Sequence, residues 1–469
     1  MIDEFIENCY NPISCLEYMT RVLLEHQMAD HSLLGSKAIG TILLKLAPPV
    51  MLAQLIQALY NIVDSFFVGK YSTHALTALS VIFPIQVIII ALAVGTGVGV
   101  NTYMARMYAL GRDDEADQTA GTGVVLALLT WAAFALVSSA IMKPYVMTSA
   151  TSPIAIEYAM TYGTIVCVGS IGTFLEGIWT KVHQSSGHMW IPMAAQATGA
   201  VTNMILDPLL IFGIGPIPEL GVAGAAWATV SGQVVAAVIT GIGGFRIPPL
   251  PRTMRYIAGK IYFYGYSSIA IQILYTVYIV ILNMILAGFS DAAITVLGLY
   301  YKMQSFFFIP LFGLQTCAVP VISYNYAHGS HDRCRSTMRW SLLISSVFMI
   351  AGILCFVFFP SGIIRLFSDS AEVLEIGRIA FPIIGCSFIS AVFSLMMPVF
   401  FQAIGDGKTS LLLGFTRQIF CLVPIFWLLS QIGLNYTWLA FPLSETITGG
   451  VGTWIYLKRI RTWSAIQKA

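Results

Sequence analysis

Again and again this chain runs for about twenty residues on almost nothing but apolar side chains, the length of helix that crosses roughly 30 Å of hydrocarbon. Twelve such runs fall near 41–68, 75–105, 119–142, 154–179, 191–212, 221–244, 261–287, 293–323, 340–360, 379–400, 411–430 and 436–457. They are far too long for barrel strands, and an unpaired peptide group in lipid costs several kcal/mol, so each run is expected to be a helix. The predicted class is an all-α, multi-pass membrane protein. Of the 469 residues 57% are hydrophobic and 10% charged, with a mean hydropathy of +0.80, so most of the length needs a non-aqueous solvent. A net charge of +2 supplies no field that argues for a nucleic-acid partner.

Placing the N-terminus in the cytoplasm puts eighteen lysines and arginines on that side and only Lys70, Lys143, Arg365 and Arg378 outside. That bias predicts a cell-membrane protein with both termini cytoplasmic. The first forty residues lack a signal peptide's short apolar core and read as a cytoplasmic extension, with an amphipathic surface helix over Ser14 to Met28 and a partly disordered tail as its two alternatives.

A shift of 218 positions superposes ALTAL from Ala75 on AITVL from Ala293, Gln86 on Gln304, Gly95 on Gly313, Gly111 on Gly329 and Asp114 on Asp332. With no change of offset, Gln184 then falls on Gln402, Gly187 on Gly405 and Thr198 on Thr416. Glycine, glutamine and aspartate do not recur by chance at one shift over such a length. The chain therefore reads as an extension (1–40), a first lobe (41–244), a basic proline-containing linker (245–260), a second lobe (261–457) and a cytoplasmic tail (458–469). Six spans per lobe, an even number, predict parallel lobes related by a pseudo-twofold axis along the membrane normal. Two rigid lobes around such an axis suit alternating access.

A charge inside a span costs on the order of 2.5–3.5 kcal/mol, so each is a functional candidate. Asp64, in LYNIVDSFFVG, and Asp207, in NMILDPLLIFGIG, stand at similar depth toward the outer side. Carboxylates sharing a dry pocket resist joint ionisation, and such a pocket holds H+ or a monovalent cation such as Na+. Asn203 is one helical turn before Asp207 and offers an amide oxygen; Gln57 is two turns before Asp64 on the same face. Pro208 frees a backbone carbonyl and permits a bend. A purely structural hydrogen bond to a neighbouring hydroxyl is the alternative for these acids. Glu176 lies near the cytoplasmic end, within snorkelling reach of Lys181, while Glu445, Lys302 and Arg417 are candidates for a neutralised ion-pair cluster or for contact with charged substrate. The repeat partner of Asp64 is Leu282, so the coupling acids are expected in the first lobe only.

Other features carry less. GDGKTS from Gly405 lacks the glycine and preceding strand of a phosphate-binding loop and reads as a turn, so no nucleotide cofactor is expected. His183, His188, His328 and His331 read as solvated loop residues, and the eight scattered cysteines as small core residues without metal or disulfide roles.

Taken in order, LYNIVDSFFVG, ALTALSVIFPI, GTGVGV leading to ALGRDDEA, NMILDPLLIFGIG, GVAGAAWATVSGQ and FQAIGDGKTSLLLGFTRQ resemble the MATE family, the multidrug and toxic compound extrusion transporters. The resemblance runs from about residue 40 to 457. It implies a twelve-helix, two-lobed antiporter, not an enzyme, exporting organic and often cationic amphipathic compounds against protons or sodium ions. Its first-lobe cation site would fall on Asp64, Asn203 and Asp207, with Gln57 nearby and Thr229 as a fourth member. Some members carry acids in the seventh and tenth helices; 261–287 and 379–400 contain none, so a second-lobe sodium site of that kind is not expected.

The expected function is thus ion-coupled export of small organic cations or drugs by a monomer in contact with membrane lipid. The rivals are a flippase for a lipid-linked precursor, which needs a strongly basic cavity, and a passive channel or receptor, which needs no ion gradient.

Overall fold

The computed structural model describes residues 33–149, 152–213, 218–365, 367 and 370–468, and among these every regular element is helical. The proposed surface helix at 14–28 lies outside the described residues. Twelve long elements are present: α1 Ile39–Tyr71, α2 Thr73–Ala109, α3 Asp113–Ser149, α4 Pro153–Gly169 with Ile171–Ser185, α5 Trp190–Phe212 and α6 Val222–Gly244 form the first lobe. The second comprises α7 Pro251–Ala287, α8 Asp291–Phe307 with Ile309–Ala327, α9 His331–Phe358, α10 Ala371–Gly385 with Phe388–Ala403, α11 Gly407–Ser430 and α12 Ala440–Lys468. Seven are long and apolar enough by composition alone to cross a bilayer, and ten are if each bent pair counts as one span; α5 and α12 complete the twelve.

Several helices outrun their apolar stretches. α3 begins at Asp113, α7 at Pro251 and α9 at His331, and α12 continues to Lys468, so the predicted linker is extended only over 245–250 and the predicted tail is largely helix. Hydropathy marks what lies in lipid, whereas helix continues wherever charged turns are solvated.

The repeat is visible in backbone geometry. Gly111 and Gly329 have φ of +66° and +76°, and Gly187 and Gly405 have φ of +84° and +85°, four left-handed positions that close helix ends in register across the two lobes. α4 bends by 41° and α10 by 55°, at matching places. At each break a serine hydroxyl turns back to a carbonyl three residues earlier: Ser170 donates to Cys167 at 2.7 Å and Ser387 to Ile384 at 2.6 Å. α8 is also broken, by 55°, where its counterpart α2 is continuous.

Each lobe encloses its own core, largely aliphatic around Ile82, Val100 and Val166 in the first, and aromatic around Phe308, Phe356, Phe381 and Phe388 in the second. A third, smaller core joins them. Ile42, Leu43, Leu46 and Val50 of α1 pack on Leu314, Cys317 and Val321 of α8, so the first half of α1 is seated on the second lobe. Leu34, just before α1, receives hydrogen bonds on its carbonyl from Asn325 (2.9 Å) and Arg333 (3.2 Å). The second half of α1 packs instead on α5. Pro48 and Pro49, at the far edge of the second-lobe attachment and ahead of the stretch that packs on α5, leave carbonyls of the preceding turn unpaired and make α1 easy to bend.

The described cross-lobe bonds and ring contacts all lie toward the end of the bundle that carries Arg106, Arg246 and Arg333, here the basic end. A Cβ on Gly265 of α7 would meet the Gly95 carbonyl at 2.8 Å and the Gly99 Cα at 3.2 Å, so α2 and α7 cross there with backbones nearly touching. Arg106 of α2 donates to the Ala403 carbonyl at 3.1 Å and lies over the rings of Tyr264 (4.7 Å) and Tyr326 (5.2 Å). The lobes are thus joined at the basic end, and none of the described bonds or ring contacts crosses between them at the far end, which leaves that end as the side on which a cleft between them can open.

Candidate cation site

Asp64 is reached through α1 and Asp207 through α5, two helices that pack side by side. Both carboxylates are buried, with Asp207 fully inaccessible and Asp64 8% exposed. Their charges are within electrostatic reach of each other. One helical turn before Asp207, Asn203 is also buried; with its amide oriented to satisfy both neighbours, it donates to Asp207 Oδ2 at 3.1 Å and accepts from the Thr229 N–H at 3.1 Å. Thr229 comes from α6, which lies against α5 through mutually close glycines: a Cβ on Gly199 would stand 2.6 Å from the Gly232 carbonyl. That close approach brings the threonine within reach of the amide.

Two tyrosines complete the pocket and were not singled out from the sequence. Tyr60, one turn before Asp64, shares a hydrogen bond with the Thr229 side chain and feels the charge of both carboxylates. Tyr162 of α4 does the same toward Thr229 and Asp64, and its hydroxyl accepts from Gln86 Nε2 of α2 at 3.4 Å. The spacing of Tyr60 to Asp64 was a usable signal; nothing in the sequence links Tyr162 to either acid. Among the described residues, Asp64 Oδ1 is buried without a hydrogen-bond partner. A carboxylate oxygen left so, among tyrosyl, threonyl and amide oxygens, has the donor chemistry for a proton or a small hard monovalent cation. Gln57 is not brought in: it is exposed on α1.

The remaining charged candidates divide. Arg417 and Glu445 form a buried ion pair, with Nη2 to Oε1 at 2.6 Å and Nε to Oε1 and Oε2 at 3.0 and 3.1 Å, and Ser394 donates to Glu445 Oε2. The pair lies beside Tyr278 and Tyr300, at a π-helical turn, Thr416–Leu422, within α11. The expectation that Lys302 joins this cluster is corrected: Lys302 is exposed on α8, turned away from the core into which the pair is packed. Glu176 accepts from Thr180 at 2.6 Å, and Lys181 donates to Gln184 at 2.8 Å rather than directly to Glu176. His183 is also corrected, since it is buried in α4 with Nε2 2.9 Å from the Thr240 carbonyl rather than solvated in a loop. GDGKTS is a helix start in which Asp406 accepts from the Thr409 N–H at 3.2 Å and from Arg459 at 2.5 Å.

Comparison with known proteins agrees with the doubled architecture. The profile of the MatE family matches the chain twice, over residues 49–209 and 268–428. The chain is 25% identical to the FAD transporter of Shewanella oneidensis over 430 residues, covering 90% of this chain and 95% of that one. It is 23% identical to the multidrug export protein MepA of Staphylococcus saprophyticus over 415 residues, covering 85% and 89%. A solved structure, the outward-facing conformation of a multidrug resistance MATE family transporter, superposes with a TM-score of 0.86 at 21% identity, over 93% of this chain and 99% of the other. With both halves of the chain matching the family profile and the whole fold superposing, the protein belongs to the MATE family of membrane transporters, and is a transporter rather than an enzyme.

Proposed function

We propose that this transporter is a secondary-active antiporter that exports small organic compounds while H+ or Na+ occupies the pocket of Asp64 and Asp207. The observation that carries this reading is the unpartnered, buried oxygen of Asp64 on a helix that belongs to both lobes. An ion in the pocket removes the desolvation penalty of the carboxylates and changes how the far half of α1 packs on α5. The near half of α1 is fixed to the second lobe, so repacking of one half strains the helix at Pro48 and Pro49 and shifts the balance between cleft openings. Drug and ion need no mutual contact, only opposed preferences for the two states.

The lysine and arginine bias supports a cell-membrane protein with the basic end and both termini in the cytoplasm, and we propose that it works as a monomer. The cleft then faces outward. Organic cations are the substrates proposed first, supported by a relative named as a multidrug export protein. A second substrate class, a flavin nucleotide, is favoured by the relative named as an FAD transporter.

Everted membrane vesicles test the reading. A fluorescent cationic dye should accumulate only when a proton or a sodium gradient, imposed separately, is present, and Asp207→Asn should abolish that accumulation. Equilibration independent of either gradient would instead support a passive pore.

A further inference from the structure

We propose that the second-lobe wall of the cleft carries an anion-accepting subsite at Lys302, so that the protein takes organic anions bearing a carboxylate or phosphate in addition to organic cations. This rests on the transport reading above for its consequence, and on side-chain placement for its evidence. The first segment of α8 has two unlike faces. Ala293, Val296, Leu297 and Tyr300 are buried in the second-lobe core, whereas Asp291, Thr295, Gly298, Lys302 and Ser305 are exposed. These five positions recur at three- and four-residue intervals and line one side of the helix.

That side has no apolar residue to present to lipid. An ammonium facing hydrocarbon about 16 Å along the helix from Asp291 would cost on the order of 2.5–3.5 kcal/mol. The helix packs on α7, α9 and α10 of its own lobe, with its core face against the second lobe, and α1 is the first-lobe element it meets. The polar side is therefore the one that faces the wetted cleft.

Lys302 is left out of every ion pair among the described residues; these are Arg112–Glu115, Arg246–Asp117, Arg335–Asp332, Arg417–Glu445 and Arg459–Asp406. Asp291, at the mouth of the same face, lies beyond the roughly 8–10 Å over which aqueous charges feel each other. One turn from Lys302 toward that mouth, a Cβ added to Gly298 would meet no heavy atom within 4 Å, so the helix side next to Lys302 is unobstructed. A cation outside every described ion pair, on an unobstructed helix side that carries Thr295, Gly298 and Ser305 around it and one acid, Asp291, at its far end, matches the anionic end of an amphiphile. The first-lobe carboxylates Asp64 and Asp207 do not compete for it, because both are buried within their own lobe.

Purified protein in detergent tests the subsite through binding of carboxyfluorescein and of ethidium, read by fluorescence polarisation. The ratio of anionic to cationic dye affinity should fall at least tenfold in Lys302→Ala and further in Lys302→Glu, and should stay within threefold in Lys302→Arg. Monodisperse elution of each variant reports its fold. Failure of wild-type protein to bind carboxyfluorescein, or a ratio unmoved by Lys302→Glu, overturns the subsite. Failure of the antiport reading shows itself separately, as absence of gradient-driven movement of either dye in vesicles.

Discussion

The guanidinium of Arg106 stands 4.7 Å from the ring centroid of Tyr264, a cation from one lobe resting on an aromatic face of the other. Tyr103, one turn before the arginine, stacks on the same ring at 5.8 Å and donates its hydroxyl to Glu115 at 2.5 Å. The arginine is thereby held between elements that must separate if the basic end is to open. Desolvated contacts of this kind contribute about 2 kcal/mol. Arg106→Ala should raise the population open at the basic end by roughly tenfold to thirtyfold, as seen in spin-label distances between the basic ends of α2 and α10. An unchanged distance distribution would remove Arg106 from the latch.

The crossing of α2 and α7 makes a related claim about sterics alone. Gly265→Ala places a methyl 2.8 Å from the Gly95 carbonyl, and overpacking of this order costs about 1–3 kcal/mol in the closed arrangement. A cysteine introduced at Thr102, which is fully buried in α2, should then react faster with a water-soluble maleimide than it does in the parent. Equal labelling rates would show that the helices accommodate the methyl in place.

Removing charge from the candidate cation pocket should uncouple transport without emptying the cleft. Asp64→Asn and Asp207→Asn are each expected to lower gradient-driven efflux tenfold or more while dye affinity stays within about threefold. Tyr60→Phe, which removes one hydroxyl beside both acids, should cost less, about two- to fivefold. Efflux and equilibrium binding measured on the same preparations separate the two effects; parallel loss of both would point to a collapsed fold instead.

The Arg417–Glu445 pair should behave as a unit. Removing one partner leaves a buried charge uncompensated, so Arg417→Met or Glu445→Gln should lower stability by roughly 3–5 kcal/mol. The double variant Arg417→Met with Glu445→Gln should recover most of that loss. Melting curves of the purified protein read the cycle, and additive losses would argue that the two residues act independently.

The doubled fold could be read early because Gly111, Gly187, Gly329 and Gly405 are required by left-handed backbone, and such requirements survive where apolar residues interchange freely. Asp64 and Asp207 stood out because charge is scarce in spans. Gln57 shows the limit of face-sharing as an argument. Seven residues restore the helical angle but move the side chain about 10 Å along the axis, out of reach of Asp64. Lys302 shows a second limit, since membership of a span does not say whether a side chain turns to the core or to the cleft. Tyr162 was invisible because its approach to Thr229 depends on how α4 and α6 pack, and a tyrosine in an apolar run is ordinarily just core. The π-helical turn that carries Arg417 likewise leaves no mark in hydropathy.

Glu445 has its counter-ion built into the neighbouring helix, and nothing from solution is needed to neutralise it. Under the proposed mechanism the exchanged ions pass through the pocket of Asp64 and Asp207 alone, and two carboxylates there cap the stoichiometry at two monovalent ions per turnover. For electroneutral proton exchange, one unit of pH difference would sustain about a tenfold steady-state accumulation ratio with one proton and about a hundredfold with two. Measuring that ratio at known gradients would count the working carboxylates directly.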